Sequence, residues 1–358
     1  MENSLLKEVN KKNLEAYLKE TIYDSFYWPT FFPIKSTPLL TYETLIGEEG
    51  ARIAADVVAY DSEAPLKTRR VISKLSGEIP PIRVKRKMTE TDLNTYNILK
   101  AQAEGADQES LLDLVFNDVD FVVNAVNARL EWLALSAMSY GSIALSPTNN
   151  NGIVTENNID FQVPTGNKSG VAVTWSTGAT CTPLTDIRTV VDAADAVGVK
   201  LQYILMRRAT FSKMKVSTEF LGEVSFYLTA RTGLTKAPNL EQTNAFLVSE
   251  GLPKIVLIEQ SVGIENDDHT ISYANPWKNN YITYIPQVQL GRTLAGPIAE
   301  ETNPPKQVVQ AKKGNILVSK YSSVDPVAEY TKGEINAFPS WNNVDYCYLQ
   351  YVEDTSWA

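Results

Sequence analysis

The chain contains one histidine, His269, which stands in the acidic stretch Glu265-Asn266-Asp267-Asp268-His269. An imidazole beside carboxylates can act as a general base or a metal ligand. Either role needs company: further ligands, or a nucleophile to activate. The chain offers no second histidine, and no cysteine is close in sequence. The stretch therefore reads as the polar tip of a hairpin. Asp267 and Asp268 are oxygen donors that suit calcium, but the ligand register of an EF-type loop is missing. The two cysteines, Cys181 and Cys347, show no disulfide-framework spacing and read as two reduced, buried thiols. As nucleophiles they would have only His269 for a base. Glu300-Glu301 lies near two prolines and reads as a turn. Phosphate loops of the GxxxxGK[ST] or GxGxxG type and a GxSxG elbow are absent from the sequence. The expectation is a chain with no catalytic residues, no metal and no cofactor.

The 358 residues suffice for about two to three domain-sized units. Hydrophobic residues at 44% and charged residues at 21% are ordinary for a globular protein. A net charge of −9 argues against a surface that binds nucleic acid throughout. No apolar run reaches the ~18–20 residues of a membrane span. The first twenty residues are charged and helical in period, unlike a signal peptide. The expected setting is a cytoplasm, with no membrane partner.

Residues 2–20 predict an amphipathic helix with Leu5, Leu6, Val9, Leu14 and Leu18 on one stripe. The next segment carries Phe26, Tyr27, Trp28, Phe31 and Phe32 among Pro29, Pro33 and Pro38, which forbid a long helix. Such an arm needs a surface to lie on: its own core, or a neighbouring subunit. Between 67 and 87 stand Lys67, Arg69, Arg70, Lys74, Arg83, Lys85, Arg86 and Lys87, with Glu78 the one acid. This is either a solvated hairpin or a projecting one that meets acidic surface on another copy. Thr89 and Asp92 form a variant capping box opening a helix to about residue 103, interrupted at Gly105. Leu111, Leu112, Val115, Val119, Val122, Val123, Val126, Leu130, Leu133 and Leu135 predict one long helix over 108–140. Short β runs follow at 159–163 and 171–175, then a helix from Pro183 to about Ala196. Strand 201–206, helices 209–220 and 240–249, and strands 254–259, 271–273 and 281–286 argue for an alternating α and β unit. Residues 301–358 read as mainly β.

Four stretches, in order, resemble the lambda-type major capsid protein E family of tailed phages. They are Phe31-Phe32-Pro33 with Ile46-Gly47, and Glu78-Ile79-Pro80-Pro81 through Met88-Thr89 to Asp92-Leu93. Gly291-Arg292-Thr293-Leu294-Ala295-Gly296 with Glu300-Glu301 is the third. The fourth runs from Asp325-Pro326-Val327-Ala328-Glu329-Tyr330-Thr331 to Ala337-Phe338-Pro339-Ser340-Trp341. The resemblance implies an α+β chain of the Hong Kong 97-type capsid fold. It implies an N-terminal arm at 1–44, an extended E-loop at 45–88 and a P-domain with spine helix at 89–184. An A-domain would follow at 185–300, and 301–358 would supply returning P-domain strands and a final A-domain strand.

The implied function is a shell subunit that forms hexamers and pentamers around double-stranded DNA enclosed non-specifically. The implied partners are itself, a separate scaffold protein, a portal and a decoration protein. The implied location is the virion, with assembly in the host cytoplasm. The candidate interface residues are Phe31, Phe32, Lys67, Arg69, Arg70, Arg83, Lys85, Arg86 and Lys87. Asp325 and Tyr330 are expected in a packed β region, with Asp325 buried and hydrogen-bonded. No Lys–Asn pair for covalent crosslinking is identifiable. The alternatives are an encapsulin-like nanocompartment shell and a soluble α/β enzyme.

Overall fold

The computed structural model describes residues 4, 6, 10–21, 23, 25–46, 73–102, 108–146, 149–150, 157–229, 237–266 and 268–357. Lys67, Arg69, Arg70, Gly105 and Asp267 lie outside the described residues. The organising element is the long helix Gln108–Tyr140, 33 residues and so about 50 Å at 1.5 Å per residue. Val119, Val122, Val123 and Val126 are fully buried along one stripe, which continues through Leu130 and Leu133.

That stripe lies on a six-stranded sheet built around a 15-residue central strand, Val327–Trp341. Residues 327–334 pair with Ile316–Val324, and residues 329–336 also pair with Pro81–Met88, so the strand is flanked on both edges there. Residues 336–341 pair with Gly291–Gly296. Ile34–Ser36 extends the sheet in parallel beyond Gly291–Gly296. At Gly333 a Cβ would lie 2.9 Å from the Val122 Cβ and 3.0 Å from its carbonyl oxygen. Only glycine lets helix and strand approach this closely.

A second, five-stranded sheet runs in the order 168–169, 348–351, 281–285, 203–206, 254–257. Its middle strand, Tyr281–Ile285, is buried at every residue, because both faces are covered. Ile282 and Tyr284 join a core with the helices Pro183–Ala196, Thr218–Thr229 and Leu240–Ser249, while Ile285 joins the core under the long helix. Thr283 points the same way as Ile285 and donates its hydroxyl to the Met138 carbonyl at 2.6 Å. The period-two alternation of a strand thus divides the two cores.

Several elements depart from the sequence reading. The first helix starts at Lys11, where Asn10 caps it by accepting from the Asn13 N–H at 2.9 Å; Ser4 and Leu6 lie before it and are not helical. The helix expected over 209–220 is two, Arg208–Met214 and Thr218–Thr229, with Ser217 between them accepting from the Phe220 N–H. Residues 171–175 are not a strand; Val171 and Trp175 donate to the Asp354 and Val352 carbonyls instead. Residues 81–88, expected in the extended loop, are a strand of the large sheet. Asp325 is exposed, at the turn joining Ile316–Val324 to Val327–Trp341, so its expected burial does not occur. A turn carboxylate in water needs no protein donor. Tyr330, in contrast, packs against Tyr321 with ring centroids 5.3 Å apart.

Candidate subunit-interface surface

The nine expected interface residues fall into three groups. Phe31 and Phe32 are buried inside their own subunit, which corrects their assignment to an interface. Trp28 joins them, and the segment Trp28–Phe31 forms one helical turn against the long helix. Its anchor is Glu131, fully buried in that helix, which sequence reading missed. Glu131 accepts from the Tyr27 N–H at 3.0 Å and the Trp28 N–H at 2.7 Å. Burial raises its carboxyl above the ordinary value, and these two bonds oppose the rise.

Arg83, Lys85, Arg86 and Lys87 form the second group, on the strand Pro81–Met88. Three of them are engaged within the chain. The Arg83 guanidinium contacts Glu334 at 2.7 Å through both Nε and Nη2. Glu334 also accepts from Lys332 at 2.8 Å, and Lys332 bonds Glu300 in turn. Burial by itself would raise the Glu334 carboxyl, but bonds and charges from Lys332 and Arg83 together hold it below its ordinary value. Lys85 lies 4.8 Å above the Tyr330 ring. Arg86 pairs with Asp118 at 3.3 Å, donates to Asn117 and covers the Phe121 ring at 4.7 Å. Lys87 is exposed. Arg86 therefore ties the sheet to its own long helix, Arg83 and Lys85 fasten the strand to the central strand beside it, and of the four cations Arg83 and Arg86 have acidic partners inside the subunit.

In the same sheet, Glu329 on the central strand beside it and Lys320 on the strand beyond are buried. Burial lowers the Lys320 ammonium, opposed by the charges of Glu329 and Asp118. Ser4 donates to Glu329 at 2.7 Å, which fastens the start of the arm onto the sheet.

Lys67, Arg69 and Arg70 form the third group. The strands on either side of the segment that holds them, Thr41–Ile46 and Ser73–Glu78, are described. Among the described residues they pair with each other alone, as a two-stranded antiparallel ribbon. Its root is fixed by Tyr42, which stacks on Phe338 at 4.6 Å and occupies the space a Cβ at Gly77 would need.

His269 is at the tip of the hairpin formed by Val262–Glu265 and Ile271–Ala274, with its side chain 89% exposed. Its Nδ1 is 2.9 Å from Glu265, and that bond and charge raise the imidazole above its ordinary value. Cys181 and Cys347 are both free and buried, in different cores. Among the described residues no group of three or more His, Cys, Asp or Glu side chains is arranged to hold a metal. No helix among them is long and apolar enough to cross a membrane.

A long helix laid across a sheet with a 15-residue central strand, a self-paired ribbon and a second sheet with its own helices form the architecture of a shell subunit. The family model for phage major capsid protein E matches residues 12–348, and the chain belongs to that family. It is similar to a solved candidate capsid protein of an E. coli CFT073 prophage, with a TM-score of 0.60 and 16% identity, covering 96% of this chain and 99% of that one. It is also similar to a phage-related protein from Bordetella bronchiseptica RB50, with a TM-score of 0.54 and 15% identity, covering 96% of this chain and 97% of that one. No curated protein matches the sequence. The fold is the Hong Kong 97-type capsid fold, and the chain is a phage major capsid protein, a virion component that self-assembles into the head shell; assembly through hexamers and pentamers is typical of that fold.

Proposed function

We propose that the shell forms through the ribbon, with Lys67, Arg69 and Arg70 carried to a neighbouring copy of this chain. The observation that carries this is the ribbon itself: two strands that, among the described residues, pair only with each other, rooted on the large sheet by Tyr42 and leading in sequence toward the cationic segment. On the strand 81–88, Arg83 and Arg86 already have acidic partners in their own subunit, whereas the chain as a whole is acidic at −9. For cations at Lys67, Arg69 and Arg70, acidic copies of the same chain are a natural counter-surface.

In this reading residues 1–44 are the arm, 45–88 the E-loop with its last strand, 81–88, returned to the large sheet, 89–184 the P-domain with its spine helix, and 185–300 the A-domain. Residues 301–358 return to the P-domain and supply a last A-domain strand. A scaffold protein, a portal and a decoration protein are the assembly partners, in the host cytoplasm, and double-stranded DNA is enclosed without sequence recognition. The chain performs no catalysis. Support for that comes from its structural family and from His269, whose near neighbours are acids on an exposed tip.

The test is charge reversal: Lys67→Glu, Arg69→Glu and Arg70→Glu together. The expected result is folded, soluble protein that forms no shells. Exposed pairs contribute only about 0–1 kcal/mol each, so the effect depends on repetition around every capsomer. Normal shells from the triple variant at low salt would sink the reading. His269→Ala should leave particle yield unchanged.

A further inference from the structure

The end of the long helix is clasped by side chains from a distant part of the chain. Tyr140 is its last residue, and Gly141 follows with φ +79, where a Cβ would press on Val163 and Leu349. The Tyr140 ring meets Tyr281 at 5.4 Å, edge on, and Trp357 at 5.5 Å. Trp357 meets Tyr281 at 5.2 Å, also edge on, and Tyr351 stacks on Tyr281 at 4.6 Å. The Lys278 ammonium lies 3.3 Å from the Tyr140 ring centroid, a cation–π contact that caps the cluster from outside.

Trp357 is delivered there by a segment that the other half of the subunit holds. Val352 donates to Asn280, while Val171 and Trp175 donate to the Asp354 and Val352 carbonyls. Glu353 accepts from Lys213 and from Ser176, each at 2.7 Å. Gly170 admits the segment, because a Cβ there would collide with the Asp354 carbonyl. Residues 352–356 are thus bound to the second sheet and its loops, whereas Trp357 packs against the core under the long helix. The same two parts are also joined by the Thr283–Met138 hydrogen bond and by Leu205, Ile285 and Leu349, which pack from the second sheet into the core under the long helix.

We infer that Trp357 and Lys278 are a pin that fixes the angle between the long helix and the second sheet, and that this angle sets the curvature of the shell. The inference rests on the shell-building role. In a closed shell a small angular freedom in each subunit is repeated in every copy, so loosening the pin spreads particle size without removing any contact between subunits.

The test compares Trp357→Ala, Trp357→Phe and Lys278→Met in the full chain, in an expression setting that yields wild-type shells. The readout is the distribution of particle diameters by electron microscopy. Amide exchange at 138–141 and 281–283 is measured on the unassembled subunit. Trp357→Ala should give folded subunits, faster exchange at those amides and a broadened or multi-modal diameter distribution. Trp357→Phe should restore both. If Trp357→Ala fails to fold, Lys278→Met decides, with the same broadening expected. Wild-type diameters from a folded variant overturn the pin, and so does complete loss of particles, since a pin that only sets an angle leaves subunit contacts intact. Failure of the wild-type chain itself to form shells would instead count against the shell-building role.

Discussion

Glu131 and Trp28 are 103 positions apart, yet the Glu131 Oε2 accepts the Trp28 N–H at 2.7 Å inside the protein. The partner bond to Tyr27 makes the carboxylate a two-point anchor for the whole aromatic arm. The arrangement explains how Trp28, Phe31 and Phe32 can pack on an otherwise apolar helix without leaving the first N–H groups of their turn unpaired. The arm is integral to the subunit fold.

Glu131→Ala should therefore destabilise the subunit by about 2–4 kcal/mol, because two buried N–H groups lose their acceptor. Glu131→Gln separates charge from geometry. The folded-state carboxyl is raised above its ordinary 4.5 by burial. The folded protein thus takes up this proton at a higher pH than the unfolded chain does. The sign follows: this group weighs against folding at neutral pH, and the burden lifts as pH falls through the folded pKa toward 4.5. Urea melts of wild type and Glu131→Gln at neutral and mildly acidic pH should show wild type gaining on the variant as pH drops. A pH-independent difference would mean that the carboxylate is not titrating in its buried site.

Glu334 should behave in the opposite sense. Its side chain is 2% exposed and held below 4.5 by Lys332 and Arg83. Its stabilisation is present above the unfolded value and is lost as pH falls through the folded one. Glu334→Gln should flatten the acid limb of the stability curve below about pH 4.5. Arg83→Met should shift that limb part of the way, since the Arg83 side chain is 58% exposed and partly screened. An acid limb unchanged in both variants would remove the pair from the account.

Much of this was legible in the chain, but not all of it. The long helix reads from its valine stripe, and its bounds at 108 and 140 coincide with the structure. Helix Leu240–Ser249 does likewise. Thr89 and Asp92 cap as their spacing predicts, with the Thr89 N–H donating to Asp92 at 2.8 Å. These are local signals. Glu131 was illegible because an acid in a helical stripe normally marks the solvent face, and its partners lie a hundred residues away. Arg83, Lys85 and Arg86 looked like a projecting hairpin because the strand that pairs with them starts near residue 327. Asp325 looked important within a family signature, but its turn only reverses the chain. Long-range register decided the cases of Glu131 and the basic strand, whereas the late start of the first helix, the break at Ser217 and the turn at Asp325 are local features.

The thiols give a further check. Cys347 is fully buried and donates to the Asn343 carbonyl at 3.3 Å; Cys181 is buried beside the Trp175 and Gly178 carbonyls. Burial raises both thiols above their ordinary value, so thiolate is scarce at each. Neither should react with an aromatic disulfide reagent in the native protein, and both should react in denaturant. Rapid native labelling at Cys347 would show that the core under the long helix opens readily.

Gly333→Ala tests the close approach of the central strand to the long helix. The added Cβ meets the Val122 Cβ at 2.9 Å and its backbone oxygen at 3.0 Å. The side chain of Val122 is enclosed on its helix, and its carbonyl is bound into the helical ladder, so neither can swing aside. Helix and sheet must separate by a few tenths of an ångström along a shared core. Overpacking of this kind costs about 1–3 kcal/mol. Gly166→Ala is the control: like Gly333 it lies outside the left-handed region, and nothing lies within 4 Å of the added carbon. If both variants lose the same stability in denaturant melts, the loss at Gly333 reflects backbone effects alone. If Gly333→Ala loses more and also exposes the Val119–Val126 amides to exchange, the helix–sheet contact is what the glycine protects.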